Sequence, residues 1–134
     1  MSFDFDVSVA WGDCDEMGIV YYPNYYYWFD TTFHAFLGSR DAGQRRIRER
    51  FGALGTPLVD TGARYRAPAR YDDRLRVTAE IASWSTRSFR MHYTVRRDDL
   101  VVVEGHEVRA WVVAGPDGGF KAGTIPDGFR AALA

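Results

Sequence analysis

Apolar residues recur along this chain with two different periods, and the switches between them divide it into elements. From Phe5 to Trp11 the pattern alternates, with Phe5, Val7, Val9 and Trp11 on one face and Asp6, Ser8 and Ala10 on the other. That predicts a half-buried strand. Gly12 to Val20 follows neither period and reads as a loop. Pro23 then opens a helix, at a position where its missing N–H costs no intrahelical bond. Tyr25, Trp28, Phe29, Thr32, Phe33, Phe36 and Leu37 fall at i, i+3, i+4, i+7, i+8, i+11 and i+12, one wide stripe that ends at Gly38. Gln44 to Phe51 predicts a short basic helical segment.

After Gly55-Thr56-Pro57 the period becomes two. Leu58 to Tyr65 predicts a strand, and Leu75, Val77, Ala79 and Ile81 share one face of the next. Phe89, Met91, Tyr93 and Val95 share one face of another, opposite Arg90, His92, Thr94 and Arg96. Arg97-Asp98-Asp99 turns the chain into a long strand, Leu100 to Val113, whose alternation slips at Glu104-Gly105, where a β-bulge fits. Gly115 to Gly119 predicts a turn before a short tail. Only one connection is long enough for a parallel crossover, so the pattern argues against a βαβ sheet. The order predicts an α+β fold, an antiparallel sheet wrapped around or against one long helix.

Composition adds bounds. The 134 residues carry a net charge of −1, with no repeat, linker or low-complexity tract, so residues 1–134 read as a single domain. A lone cysteine excludes an internal disulfide framework and a cysteine zinc cage. The N-terminus lacks the basic and apolar regions of a signal peptide, and the longest uncharged run, Met17 to Phe29, is too short to span a bilayer. A soluble cytoplasmic protein with no membrane partner is expected. The near-neutral total hides an uneven distribution. Residues 1–39 hold six acids and no Lys or Arg, and twelve of the 21 aromatic residues. Residues 64–97 hold nine arginines against three acids. Nucleic acid is still not an expected partner, because the total is slightly negative and no stacking motif accompanies the arginines.

The candidate chemistry concentrates between Trp11 and Tyr25. Asp13 and Asp15 stand just before the N-terminus of the long helix, whose first N–H groups lack intrahelical acceptors and carry partial positive charge. Such a terminus suits an oxygen on which negative charge develops, and a nearby carboxylate suits a nucleophile or general base. The same two acids are equally a pair of loop caps. A calcium loop fails at its third ligand and at Asn24. Cys14, between two acids, reads as a small buried hydrophobe rather than a thiolate. His34, His92 and His106 have no metal-ligand spacing, and no nucleophile elbow, phosphate loop or dinucleotide fingerprint is present. No metal or cofactor is expected.

Gly12-Asp-Cys-Asp15, Gly18-Ile-Val-Tyr-Tyr-Pro-Asn-Tyr25 and Trp28-Phe-Asp30 together resemble the hotdog-fold 4-hydroxybenzoyl-CoA thioesterase family. The likeness continues through Gly55-Thr-Pro57, Tyr71-Asp-Asp73 and Trp84 to Phe89. The resemblance implies a five-stranded antiparallel sheet around one long helix, and hydrolysis of an aromatic acyl-CoA. It implies that Asp15 is the catalytic carboxylate and that backbone N–H groups at Tyr22 and Asn24 polarise the thioester carbonyl. It further implies that Asp30, with Tyr25, meets the acyl group, and that Arg87 and Ser88 meet CoA. A homodimer or a homotetramer built as a dimer of dimers, with shared active sites, is the implied assembly. Glu16 replaces the family's proline after the catalytic Asp, and Ser85-Thr86 replaces a basic pair before Arg87, leaving Arg64, Arg66, Arg70 or Arg90 as substitutes. The alternatives are a general short- or medium-chain acyl-CoA thioesterase and a non-catalytic acyl-CoA-binding protein of the same fold. A hotdog dehydratase would need a histidine near the start of the helix, and His34 lies late on it.

Overall fold

The computed structural model describes residues 1–134. The chain runs β1 (Ser2–Ser8), α1 (Pro23–Ser39), α2 (Gln44–Phe51), β2 (Ala53–Gly55), β3 (Leu58–Tyr65), β4 (Arg74–Trp84), β5 (Ser88–Arg97), β6 (Leu100–Ala110), β7 (Val112–Ala114), β8 (Phe120–Ala122) and α3 (Asp127–Ala132). Five strands form an antiparallel sheet in the order β1-β4-β5-β6-β3, and α1 lies across its inner face. This is the hotdog arrangement. No helix is long and apolar enough to cross a membrane.

The apolar stripe explains why α1 sits there. All seven stripe residues are buried, and Phe29, Phe33, Phe36 and Leu37 have no exposed surface. Burying one such side chain stabilises by roughly 1.5–3 kcal/mol. The one polar member, Thr32, donates its hydroxyl to the Trp28 carbonyl at 2.7 Å. Phe29 stacks on Tyr93 of β5, ring centroids 4.8 Å apart, and lies directly over Gly105 of β6. A Cβ at Gly105 would fall 2.4 Å from that ring. The glycine is thus a contact surface for the helix, not the bulge that the slipping alternation suggests.

The bulge lies two residues earlier. Val95 pairs with Val103 and Arg96 with Val101, so Val102 is the extra residue, and its carbonyl accepts the N–H groups of Arg66 and Ala67 at 2.8 and 3.2 Å. From Val103 onward, alternate residues face the helix: Val103, Gly105, Glu107 and Arg109 are all buried. The predicted Leu100–Val113 strand also breaks at Trp111, because β7 leaves the main sheet to pair with β2 and β8. That small second sheet and α3 close one end of the core, where Trp111, Phe129 and Phe51 pack together. Trp11 departs from its predicted strand face; it begins a short 3₁₀ turn and is 77% exposed.

Candidate active site

The loop before α1 is held at both ends. Asp13 caps the 3₁₀ turn, its Oδ2 accepting from Ala10 N at 2.8 Å. Its carbonyl accepts from Tyr21 N and from Asn24 Nδ2, both at 2.8 Å, which ties the loop to the mouth of the helix. Val20 N donates to Ala69 O, and Ile19 bridges Arg70, so the loop also rests on the segment leading to β4. Between these anchors a tight turn runs from Asp15 to Ile19. Gly18 N donates to Asp15 O at 2.9 Å, and Gly18 takes a positive φ of 80°, a conformation glycine adopts without steric cost.

Asp15 stands exposed at this turn with one carboxylate oxygen engaged. Met17 N donates to Oδ1 at 2.9 Å, and Oδ2 has no partner in the chain. A cavity of about 220 Å³ adjoins it, lined by Trp11, Cys14, Asp15, Glu16, Gly18 and Tyr71. Trp11 and Tyr71 meet edge to face there, 5.3 Å between centroids.

The backbone donors at the helix mouth divide cleanly. Tyr21 N–H is bound to Asp13 O, Asn24 N–H to Tyr21 O at 3.0 Å, and Tyr25 N–H to Tyr22 O at 3.2 Å. Pro23 has no N–H. Tyr22 N–H makes no hydrogen bond within the chain. The expectation that Asn24 shares the role of carbonyl donor meets a physical obstacle, since its amide is already spent in the turn. Tyr25 is placed in the core: its side chain is 3% exposed, packed edge to face against Trp28 and Tyr65, and burial pushes its hydroxyl up to about 12.

Asp30 sits two turns further along α1 in a different setting. Its side chain is 51% exposed, with Oδ1 held by Arg109 Nη2 at 2.9 Å and 3.4 Å from His34 Nε2. Arg109 is almost wholly buried and also grips Glu107, which is 2% exposed. Burial opposes the arginine's charge, but the bonds to Glu107 and Asp30 more than offset it and hold its pKa above the usual arginine value. Burial, then the Glu107 charge, push the neighbouring Tyr93 hydroxyl well above its ordinary range. A cavity of about 400 Å³ borders Arg109, with His34, Gln44, Thr56 and Phe120 among its walls, and the buried Thr56 hydroxyl there has no partner.

Glu107 and Arg109 escape a reading of the sequence because a bulge placed at Glu104-Gly105 leaves their phase undecided. The available signal is that they continue the inward parity of Val103 and Gly105 toward Trp111.

Arg87 and Ser88 lie in and just after the β4–β5 turn, with Arg87 exposed and Ser88 half-buried. Arg64, Arg66 and Arg70 lie away from that turn, and Arg90, two residues past Ser88 and paired with Ser83, stands beside it on β5. Arg64, Arg66 and Arg90 project with His92 and His106 from the outer face of the sheet, and Arg66 is paired with Glu104 at 2.7 Å. Arg70 lies at the other end of the sheet, beside Asp73. The cation at the turn comes instead from α3, where Arg130 Nη2 donates to the Ser85 carbonyl at 2.6 Å.

The candidate residues therefore form two groups. Asp15 and Tyr22 lie where β4 begins and β3 ends; Tyr22 packs against Tyr65. Arg87, Ser88, Thr56 and Arg109 lie where β4 ends and β3 begins, since Leu58 pairs with Arg109 and Ser88 with Ala110. At about 3.3 Å per residue, the ten steps of β4 separate its two ends by about 33 Å, whereas Asp30, eight residues past Tyr22 on α1, is about 12 Å along the helix from its mouth.

Comparison with known proteins agrees with this architecture. A model of the thioesterase-like superfamily matches residues 9–133. A 4-hydroxybenzoyl-CoA thioesterase from Pseudomonas sp. (strain CBS-3) is 31% identical over 119 residues, 84% of each chain. A solved structure of an Asp-to-Asn variant of 4-hydroxybenzoyl-CoA thioesterase, complexed with 4-hydroxybenzoyl-CoA, superposes with a TM-score of 0.90 at 26% identity, covering 99% of both chains. A gentisyl-coenzyme A thioesterase superposes with a TM-score of 0.82 at 28% identity, covering 98% of both.

Proposed function

The chain belongs to the thioesterase-like superfamily and is a thioester hydrolase acting on acyl-CoA, and from that premise we propose that its substrate carries a hydroxylated aromatic acyl group. In this reading Asp15 is the reacting carboxylate, the Tyr22 amide polarises the thioester carbonyl, and Asp30 accepts a hydrogen bond from the ring hydroxyl. The observation that carries it is the helix mouth. Of the four amides between Tyr21 and Tyr25, only Tyr22 N–H has no acceptor, and the loop before it presents a carboxylate with a free oxygen.

The chemistry follows from those two groups. An oxyanion forming on the carbonyl would gain a donor that needs no reorganisation, at the positive end of a helix. Asp15 Oδ2 would either attack the carbonyl carbon, expelling the CoA thiolate and leaving an anhydride for water to cleave, or take a proton from an attacking water. Either route ends in the free acid and CoA. The relative whose substrate complex was solved is an Asp-to-Asn variant, which favours a carboxylate as the reacting group. Arg87, with Arg130 beside it, is the proposed contact for CoA phosphates, since guanidinium groups suit phosphate oxygens.

The separation of the two groups supports a site completed by a second copy. Strand β3 is an edge strand with an open side, on which Leu58 and Val59 are exposed. Antiparallel pairing of β3 with its own copy about a two-fold axis would set the start of one β3 beside the end of the other. Arg87, Thr56 and the Arg109–Asp30 pair of one protomer would then face Asp15 and Tyr22 of its partner.

Asp15→Asn should keep the fold and bind substrate while losing at least about a thousandfold in turnover of 4-hydroxybenzoyl-CoA. Activity within tenfold of wild type would remove Asp15 from the chemistry. A panel of aromatic and aliphatic acyl-CoAs tests the acyl group, with 4-hydroxybenzoyl-CoA expected to exceed both benzoyl-CoA and short- or medium-chain substrates in kcat/KM.

A further inference from the structure

Beneath the half-exposed carboxylate of Asp30 runs a chain of buried polar groups to which the chemistry above gives no part. Tyr93 Oη donates to Glu107 Oε1 at 2.5 Å. Arg109 Nε and Nη2 donate to the two Glu107 oxygens at 2.9 and 3.1 Å, Nη1 donates to the Thr56 carbonyl at 3.0 Å, and Nη2 donates to Asp30 Oδ1 at 2.9 Å. The guanidinium lies over the Phe33 ring, 3.9 Å from its centroid. Four of its five N–H groups are thus committed, to groups from β2–β3, β6 and α1.

Such a cluster is a poor way to gain stability. Desolvating a carboxylate and a guanidinium costs several kcal/mol each, and apolar residues of the same volume serve a core at least as well. What the cluster accomplishes is geometric. Asp30 is on a helix face with freedom to rotate, yet its Oδ1 is pinned to a cation that cannot swing away without leaving Glu107 unpaired. Only Oδ2 remains without a partner in the chain, and it belongs to the half-exposed part of the side chain.

We propose that Arg109, held by Glu107 and Tyr93, is the positioning residue that aims Asp30 and thereby sets the preference for an acyl group bearing a neutral hydroxyl. This rests on the assignment of Asp30 to the ring hydroxyl. Two carboxylates share one guanidinium, so an acyl group ending in a carboxylate would meet net negative charge, whereas a phenol, neutral at pH 7, can donate to Oδ2. Arg109 acts through Asp30 and has little donor capacity left for substrate.

The test is the ratio of kcat/KM for 4-hydroxybenzoyl-CoA to that for benzoyl-CoA, measured on the full chain as wild type, Asp30→Ala, Arg109→Lys and the double variant. Asp30→Ala should lower the ratio at least tenfold. Arg109→Lys should lower it by a similar factor while kcat/KM for benzoyl-CoA stays within threefold of wild type. The double variant should fall no further than Asp30→Ala alone, as expected when one residue acts through another. A ratio unmoved by Arg109→Lys, parallel losses on both substrates, or losses that multiply in the double variant would overturn the proposal while leaving Asp30 in place. A ratio unmoved by Asp30→Ala would overturn the Asp30 assignment, and this proposal with it. If Arg109→Lys does not fold, Tyr93→Phe decides: it keeps the stacked ring and removes only the hydroxyl on Glu107. A fall of about threefold in the ratio supports the proposal, and an unchanged ratio sinks it.

Discussion

At the scale of single residues, the helix mouth offers a substitution that isolates one hydrogen. Tyr22 has φ of −54°, within the range a proline ring imposes, and its N–H has no partner to lose. Tyr22→Pro should therefore fold, and should lower kcat by about 10²–10³ if that amide stabilises the oxyanion. Tyr22→Ala is the control; it removes the ring, keeps the N–H, and should stay within tenfold of wild type. Equal losses in the two variants would place the function of Tyr22 in its side chain. Tyr25 makes a prediction of another kind. Its hydroxyl titrates at about 12 in the fold against about 10 when unfolded, so the native state holds the proton more tightly. The associated stability is fully present below pH 10 and is lost as pH rises toward 12, by about 1 kcal/mol at pH 11. Urea midpoints at pH 8 and pH 11, compared between wild type and Tyr25→Phe, measure it; the variant should lose less.

At the scale of elements, the site depends on where α1 crosses the sheet. The Phe29 ring over Gly105 fixes the height of the helix, and Asp30, the next residue, meets Arg109 four positions further along β6. Gly105→Ala puts a methyl inside that ring and should cost about 1–3 kcal/mol in a urea denaturation series. A loss below about 0.5 kcal/mol would mean that helix and sheet separate easily, and that Asp30 is not held by their packing. The bulge at Val102 matters for the same reason: a shift of one residue in strand phase moves every later side chain to the opposite face. With the extra residue before Val103, Glu107 and Arg109 point toward α1 and His106 points outward with His92. The alternation reveals that a slip exists. It does not locate it, because the position depends on how β5 pairs across.

At the scale of the whole molecule, the proposed site divides between the two ends of the sheet, and that proposal is testable by mixing. Asp15→Asn and Asp30→Ala chains, co-refolded, would form mixed dimers in half of the pairs, each with one intact site of two. Activity on 4-hydroxybenzoyl-CoA should recover to about a quarter of wild type, well above either parent. No recovery would mean that both residues serve one site within a chain. The uneven charge distribution also looks different at this scale. The acidic, aromatic first segment does supply the loop and the helix mouth, but most of the arginine-rich middle does not face the candidate site. Arg74, Arg76, Arg90 and Arg96 alternate with buried residues and are therefore directed outward, and Arg76 is paired with Asp6 at 2.8 Å.

What the sequence determined by itself is what local rules control. The period of 3.6 named all seven buried residues of α1, proline marked its start, and period-two runs located β3, β4 and β5, with the inward faces of β4 and β5. The resemblance around Asp15 to Asp30 pointed to acyl-CoA thioester hydrolysis, which the comparisons bear out. Tertiary structure decided what depends on residues far apart in the chain. The loop folding back so that Tyr21 N–H reaches the Asp13 carbonyl, beside the local bond from Asn24 N–H to Tyr21 O, leaves Tyr22 as the free amide. Packing with Trp28 and Tyr65 removes Tyr25 from solvent. Strand pairing turns Glu107 and Arg109 inward beneath Asp30, and a C-terminal helix brings Arg130 to the turn where Ser85-Thr86 lack charge. Each of these depends on which group reaches a donor, a ring or a carbonyl first, and that competition is resolved only when distant segments pack.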